Sequence, residues 1–327
     1  MTNRRRFILA VGGTALWGPL TAYTQSDQKL VRIGMLGTIE RERSPIIPRT
    51  LERLSELGYT EGKNVRVEYR TSEGDTAKLA AQARELLSLK PDIMMTMGPL
   101  PPLRAVLAET TAIPVVFAAV DYDPVDTGVV KSYNRPGGNV TGAYIAQPAL
   151  AIKRFELARE LFPSARRFLV MNDAFSKDQF TALSRASTQT GIAIENAEFT
   201  ARPYDYAAAL RRARKAGAQV VIVLMAPILF RDRAQIAKLA LEYKIPALGG
   251  ANAFAEAGFL ASYGAPLGKI AERTAEITAR ILRGANPADT PVEQVNEFEF
   301  AVNMKTARSL GVGISNTILV RATRVVE

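Results

Sequence analysis

Three carboxylates crowd into one short stretch, Asp121-Tyr122-Asp123-Pro124-Val125-Asp126, the first candidate for chemistry in this chain. A pair of acids at i and i+2 could serve general acid–base catalysis or begin a metal site. The spacing argues for less. Asp followed by Pro is a turn device, which accounts for Asp123. Only Asp126 stands nearby as a third ligand, and the glycine of a calcium-binding loop is missing. Asp121, directly after an expected strand, is the residue placed to hold an amine or hydroxyl of a ligand.

What is absent narrows the chemistry further. The 327 residues include no histidine and no cysteine. That removes the commonest general base, the Ser-His-Asp arrangement, thiolate nucleophiles, disulfides and most zinc sites. No Gly-x-Ser-x-Gly, phosphate-binding loop or Gly-x-Gly-x-x-Gly follows an expected strand. Gly311-Val-Gly313-Ile-Ser315 looks similar but comes after a helix. We therefore expect no catalytic residue, no cofactor and no metal: a binding protein rather than an enzyme. The net charge of +10 does not read as a nucleic-acid surface, because the cations are scattered along helices among acids. The densest cluster of the folded part, Arg211-Arg212-Ala213-Arg214-Lys215, fits a solvated helix face.

The elements that must position a site follow an alternating rhythm. Residues 31–36, 65–69, 93–96, 115–118 and 140–144 read as strands, with helices at 47–57 and 79–87 between them. After Arg135-Pro-Gly-Gly-Asn139 the pattern restarts, with strands at 167–171, 192–196, 220–224 and 245–248 separated by helices. Strands at 259–263 and 298–302 and a long helix at 266–283 then break the rhythm. The expectation is an α/β fold of two Rossmann-like lobes, each a parallel sheet flanked by helices. Lacking a flexible linker, the lobes should be joined by a hinge.

Parallel sheets bind ligands beyond the carboxyl ends of their strands. Two facing lobes thus nominate one cleft. The first contributes Gly37, Thr38, Gly98, Pro99, Leu100, Asp121 and Tyr122. The second contributes Asn172, Asp173, Phe175, Met225, Ala226 and Pro227, and the segments after residue 248 add Asn252, Phe254 and Tyr263. Tyr122, Phe175, Phe254 and Tyr263 could stack on a ring, which suggests an aromatic or apolar amino acid or carboxylate.

At the N-terminus, Arg4-Arg5-Arg6 precedes about a dozen apolar and small residues, too few to span a bilayer permanently. This reads as an export signal over residues 1–25, using the twin-arginine or the general secretory route to a periplasmic location.

Four strings carry a family resemblance. They are Arg135-Pro-Gly-Gly-Asn-Val-Thr-Gly142, Phe254-Ala-Glu-Ala-Gly258, Ala261-Ser-Tyr-Gly264, and Phe298-Glu-Phe-Ala-Val-Asn-Met-Lys-Thr-Ala307 followed by Leu310-Gly311. Over about residues 30–325 the chain resembles the substrate-binding proteins of ABC transporters with the type I periplasmic-binding-protein fold, which include tryptophan- and tyrosine-binding relatives. The resemblance implies a ligand clamped between lobes and handed to an ABC permease in the membrane. It implies crossovers near 143–148, 250–258 and 284–292. Lobe one is then expected at 26–146 plus 255–285, and lobe two at 147–254 plus 286–327. Asp121-Tyr122-Asp123-Pro124 and Pro99-Leu100-Pro101-Pro102 depart from the usual strings of such proteins, so the ligand does not carry over. A monomer is expected, since a closing cleft needs free lobes. Rival readings are a sensor presenting its closed form to a membrane histidine kinase, the effector half of a transcription regulator, and a hydrolase built on Asp121.

Overall fold

The computed structural model describes residues 30–327. The expected export signal at 1–25 lies outside the described residues.

The chain runs β1 (Val31–Gly37), α1 (Ile47–Glu56), β2 (Val65–Thr71), α2 (Leu79–Ser88), β3 (Ile93–Gly98), α3 (Leu100–Glu109), β4 (Val115–Ala119) and β5 (Val140–Tyr144). It then crosses into α4 (Gln147–Leu161), β6 (Arg167–Asp173), α5 (Lys177–Thr188), β7 (Ala193–Phe199), α6 (Tyr206–Lys215) and β8 (Val220–Val223). Next come α7 (Pro227–Arg231), α8 (Arg233–Glu242), β9 (Ala247–Gly249), α9 (Asn252–Glu256) and β10 (Ala261–Gly264). The last part holds α10 (Leu267–Leu282), β11 (Glu293–Gln294), β12 (Glu299–Asn303), α11 (Met304–Leu310), α12 (Asn316–Arg321) and β13 (Arg324–Val326).

Two sheets give two lobes. The first has strand order β11-β5-β4-β3-β1-β2 and the second β13-β12-β10-β9-β8-β6-β7. The first is parallel throughout, and its central strands β3, β4 and β5 are apolar and buried along nearly their whole length. That is what a strand covered by helices on both faces requires. The second sheet departs from the expectation of a purely parallel one, because β10 and β12 pair antiparallel, Tyr263 opposite Phe300.

Sheet membership assigns the last third of the chain. Residues 261–264, expected with lobe one, pair with β9 and β12 in the second sheet. Residues 293–294, expected with lobe two, pair with β5 in the first. The chain therefore crosses between lobes after β5, between β10 and α10, and between β11 and β12. Helix α10 returns to lobe one because its face of Ile270, Ala271, Ala275, Ile277 and Ile281 buries against the first sheet's core. Arg49 and Arg53 of α1 pair with Glu272 and Glu276 of α10 at 2.7 and 2.8 Å, at partly exposed positions where such pairs steer register more than stability.

The Gly311–Ser315 string proves to be a helix junction. Gly311 ends α11 in the left-handed region at φ 68°, and the Ser315 hydroxyl accepts the Ile318 N–H to start α12.

Candidate functional site

In each sheet the strand order reverses direction at one point, between β1 and β3 in the first and between β6 and β8 in the second. At such a switch point the connecting helices leave to opposite faces, and a crevice opens at the carboxyl ends. The two crevices face one another. The cavity between them is about 50 Å³ and partly open to solvent. Lobe one lines it with Thr38, Ile39, Ser44, Pro45, Ile46, Met97, Gly98, Val120, Asp121 and Leu267. Lobe two adds Met225, Ala226, Pro227 and Phe230.

Asp121 is the one ionisable group among the described residues of this lining. It is 8% exposed, and its Oδ1 is buried with no hydrogen-bond partner in the protein. Burial pushes its pKa well above the usual carboxylate range, and the charges of Asp178 and Asp173 across the cleft push it further. A lone carboxylate in an otherwise apolar cavity is an acceptor waiting for a cationic donor.

Of the residues nominated from sequence, Thr38, Gly98, Asp121, Met225, Ala226 and Pro227 come together in this cavity. The others are not part of its lining. Gly37 backs onto the Tyr69 hydroxyl, and Pro99 and Leu100 begin α3. Tyr122 is buried on the far side of the first sheet, 6.1 Å from the Phe117 ring. Asn172 bonds Asn196 at 2.5 Å, and Asp173 accepts the Phe175 N–H at 2.9 Å and the Tyr204 hydroxyl at 3.3 Å. Phe175 belongs to a lobe-two core. Asn252 bonds Glu299 at 2.5 Å, and Tyr263 stacks on Phe298 with ring centres 6.0 Å apart. Phe254 is wholly buried, wedged edge-on between Phe230 at 5.7 Å and Phe259 at 4.9 Å.

The expected aromatic wall thus comes from a residue the sequence did not nominate. Phe230 faces the cavity, with Phe254 behind it and the Arg233 guanidinium 4.5 Å from its ring centre. The loop after β1 supplies Ile39 and Ser44–Ile46, where the Ser44 hydroxyl accepts the N–H groups of Ile46 and Ile47 and so fixes the turn into α1. Asp123 is the turn device expected: its Oδ1 accepts the N–H groups of Val125 and Asp126 at 2.8 and 3.1 Å. No cluster of acids suited to a metal ion occurs among the described residues.

A latch spans the lobes at one edge of the cleft. The Arg202 guanidinium donates to the carbonyl oxygen of Glu73, which sits in the left-handed region at φ 50°. Gly74 lies directly beneath: a Cβ there would meet Arg202 Nη2 at 1.5 Å. Glu73 follows β2 of lobe one and Arg202 follows β7 of lobe two, so the bond joins the two lobes. Arg202→Ala is expected to shift the balance towards the open form by about 1 kcal/mol and weaken apparent affinity about fivefold. Titration calorimetry checks the affinity, and small-angle scattering checks the opening of the empty protein. An unchanged affinity would show that the latch does not contribute to closure.

Comparison with known proteins agrees with this geometry. A tyrosine-binding protein from Clostridioides difficile (strain R20291) is 27% identical over 267 residues, covering 80% of this chain and 74% of that protein. The ABC domain from Streptococcus pneumonia, solved in complex with L-Trp, superposes with a TM-score of 0.80 at 25% identity, covering 90% of this chain and 99% of that one. A conserved domain protein from Vibrio cholerae superposes with a TM-score of 0.82 at 27% identity, covering 91% and 100%. The two-lobed α/β architecture is that of the type I periplasmic binding proteins. Residues 46–326 match the family described as ABC transporter substrate binding protein, so the match takes in every strand but β1 and most of the cavity lining, and the chain belongs to that family.

Proposed function

We propose that the protein captures an amino acid with an aromatic or apolar side chain between its lobes and delivers it to an ABC permease. The observation that carries this reading is Asp121, which lines an apolar cavity and whose buried Oδ1 has no partner in the protein. An ammonium group satisfies that oxygen, and Ile39, Ile46, Met97, Val120, Phe230 and Leu267 surround an apolar side chain. Relatives named for tyrosine or solved with L-Trp support the same class. Binding needs no general base or nucleophile, in keeping with a chain that has neither histidine nor cysteine. Ligand favours the closed form by its differential affinity for closed over open, since it touches both lobes only when they meet.

The site of action is the periplasm, reached through the signal expected at residues 1–25. No helix among the described residues is long and apolar enough to cross a membrane. The working unit is a monomer whose two lobes move about the three crossovers.

A thermal-shift screen of amino acids, aromatic acids, nucleosides, sugars and polyamines tests the reading. At a hundredfold excess over the dissociation constant, a ligand adds about 2.7 kcal/mol to folding stability. Melting is expected to rise with aromatic or branched-chain amino acids. Stabilisation by sugars or polyamines alone would overturn the ligand class.

A further inference from the structure

Behind the lobe-two wall of the cleft lies a buried cation with no anion. Arg154 is wholly buried on α4, and only its Nη2 is satisfied, by the amide oxygens of Gln147 at 3.1 Å and Gln179 at 3.3 Å. Its Nε and Nη1 find no acceptor in the protein. The Nε2 of Gln147 is likewise buried and unpartnered. All three orphans are donors, so this pocket is short of acceptors and of negative charge. Burial pushes the guanidinium pKa down to about 9, and no carboxylate opposes the shift. The group still carries its charge at neutral pH. An uncompensated buried charge is among the costliest arrangements a protein can hold.

The pocket is closed, but one side chain, that of Met225, stands beside both it and the cleft. Helical side chains lean back toward the helix N-terminus, so Arg154 reaches toward Gln147, the first residue of α4 beyond the crossover. Gln179 joins the guanidinium to the cleft wall. Its Nε2 donates to the Met225 carbonyl at 2.7 Å, and its Oε1 accepts the Met225 N–H at 3.1 Å. Arg154 Nη1 and the Met225 side chain converge on one point beside Gly250. A Cβ on that glycine would meet Nη1 at 2.0 Å, Met225 Cγ at 2.3 Å and Sδ at 2.6 Å. Met225 lines the ligand cavity. Its unbranched thioether is thus the cover between cavity and guanidinium, and a side chain of that kind changes rotamer readily.

We infer that Arg154, with Gln147 Nε2 beside it, is the anchor for the ligand's carboxylate, reached when the Met225 side chain swings aside. A carboxylate accepts from several donors at once, which is what this pocket lacks. The inference rests on the cleft being the ligand site, and it sharpens the ligand class: the cargo carries a free carboxylate as well as an apolar body.

The test compares L-tryptophan, L-tyrosine and L-leucine with their primary amides by titration calorimetry, on the wild-type protein, Arg154→Met and Arg154→Lys. The wild type is expected to favour acid over amide by about 30-fold. In Arg154→Met that preference should fall below about threefold with amide affinity little changed, and Arg154→Lys should keep part of it. The melting temperature of ligand-free Arg154→Met should hold or rise, because an unpaired buried charge is gone. Equal weakening of acid and amide, or a melting temperature several degrees lower with the acid preference kept, would make Arg154 a purely structural residue and overturn the inference. Wild-type protein that binds acid and amide equally sinks the anchor alone. Wild-type protein that binds none of the six sinks the amino-acid reading and the anchor with it.

Discussion

Asp121→Asn is expected to weaken binding of an amino-acid ligand about a hundredfold while raising the melting temperature of the empty protein. Both effects have one source. In the empty cleft the carboxylate is buried, lacks a partner on Oδ1 and faces the charges of Asp178 and Asp173, so its pKa is raised. An unfolded chain holds the same group near 3.9. The folded state therefore binds the proton more tightly. In consequence Asp121 costs nothing below the unfolded pKa, and folded stability is lost as pH rises through the raised folded value. An amide in its place does not titrate, so the variant's advantage in melting temperature should grow upward from about pH 4 and level off once the carboxyl is fully ionised. Ligand reverses the balance. An ammonium group bonded to Asp121 needs the ionised form, so wild-type affinity should rise with pH through the folded pKa, with a proton released on binding. Truncating one partner of a buried, hydrogen-bonded charge pair costs about 2–5 kcal/mol, and about 3 kcal/mol is a hundredfold in Kd. Calorimetry between pH 5 and 8 in buffers of different ionisation enthalpy reads the proton and the affinity together. A variant that binds as tightly as the wild type, with the same pH slope, would remove the ammonium from this oxygen.

Asp121 and Tyr122 show how much of the site could be read from sequence. The strand at 115–118 was legible from its unbroken apolar run, and the residues just past it were therefore rightly placed at a carboxyl end. Chain leaving a strand still tends to alternate, and successive side chains depart on opposite sides. Asp121 enters the cavity, while Tyr122 turns back onto Phe117. A run of consecutive loop residues cannot separate them. Phe230 and Phe254 make the complementary error. Both stand among apolar residues on short helices, and the sequence nominates Phe254 for the cleft while passing over Phe230. Only the stacking of α7 on α9 decides that Phe254 is the backing and Phe230 the surface. Strand pairing was invisible for a different reason. Periodicity says that residues 261–264 form a strand, but hydrogen-bond partners are set by the chain that arrives beside it, here β12 from some 35 residues later. Arg154 was hidden by company. Between exposed Lys153 and exposed Arg159 it looks like one more solvated cation, and only the packing of α4 against α5 turns it inward.

The largest expected effect on stability belongs to Gly264→Ala, and it separates two roles of glycine. Gly264 ends β10, opposite Glu299 of β12, where the chain is about to leave lobe two for α10. It is not among the residues with positive φ, so backbone freedom is not why glycine stands there. A methyl group would instead lie 1.8 Å from the carbonyl oxygen of Gly250 and 2.8 Å from its carbon. Both are backbone atoms, so no rotamer relieves the clash, and the ends of β9 and β10 must part. Overpacking of this kind costs about 1–3 kcal/mol, and an unyielding backbone contact belongs at the upper end. At about 2–4 °C per kcal/mol the melting temperature should fall by about 6–12 °C. The damage should reach function, because Gly250 also borders Met225 and the Arg154 guanidinium, so a displaced Gly250 disturbs the cavity wall. Gly268→Ala is the matched control. It lies two residues into α10 and has nothing within 4 Å of an added Cβ. There alanine restricts the unfolded chain and favours the helix, a gain of about 0.5–1 kcal/mol. Opposite signs from the same substitution four residues apart would trace the need for glycine to the contact of two strand ends beside the crossover. A Gly264→Ala protein as stable as the wild type would mean that β9 and β10 slide freely at that point, and that closure can draw on motion inside lobe two as well as on the hinge.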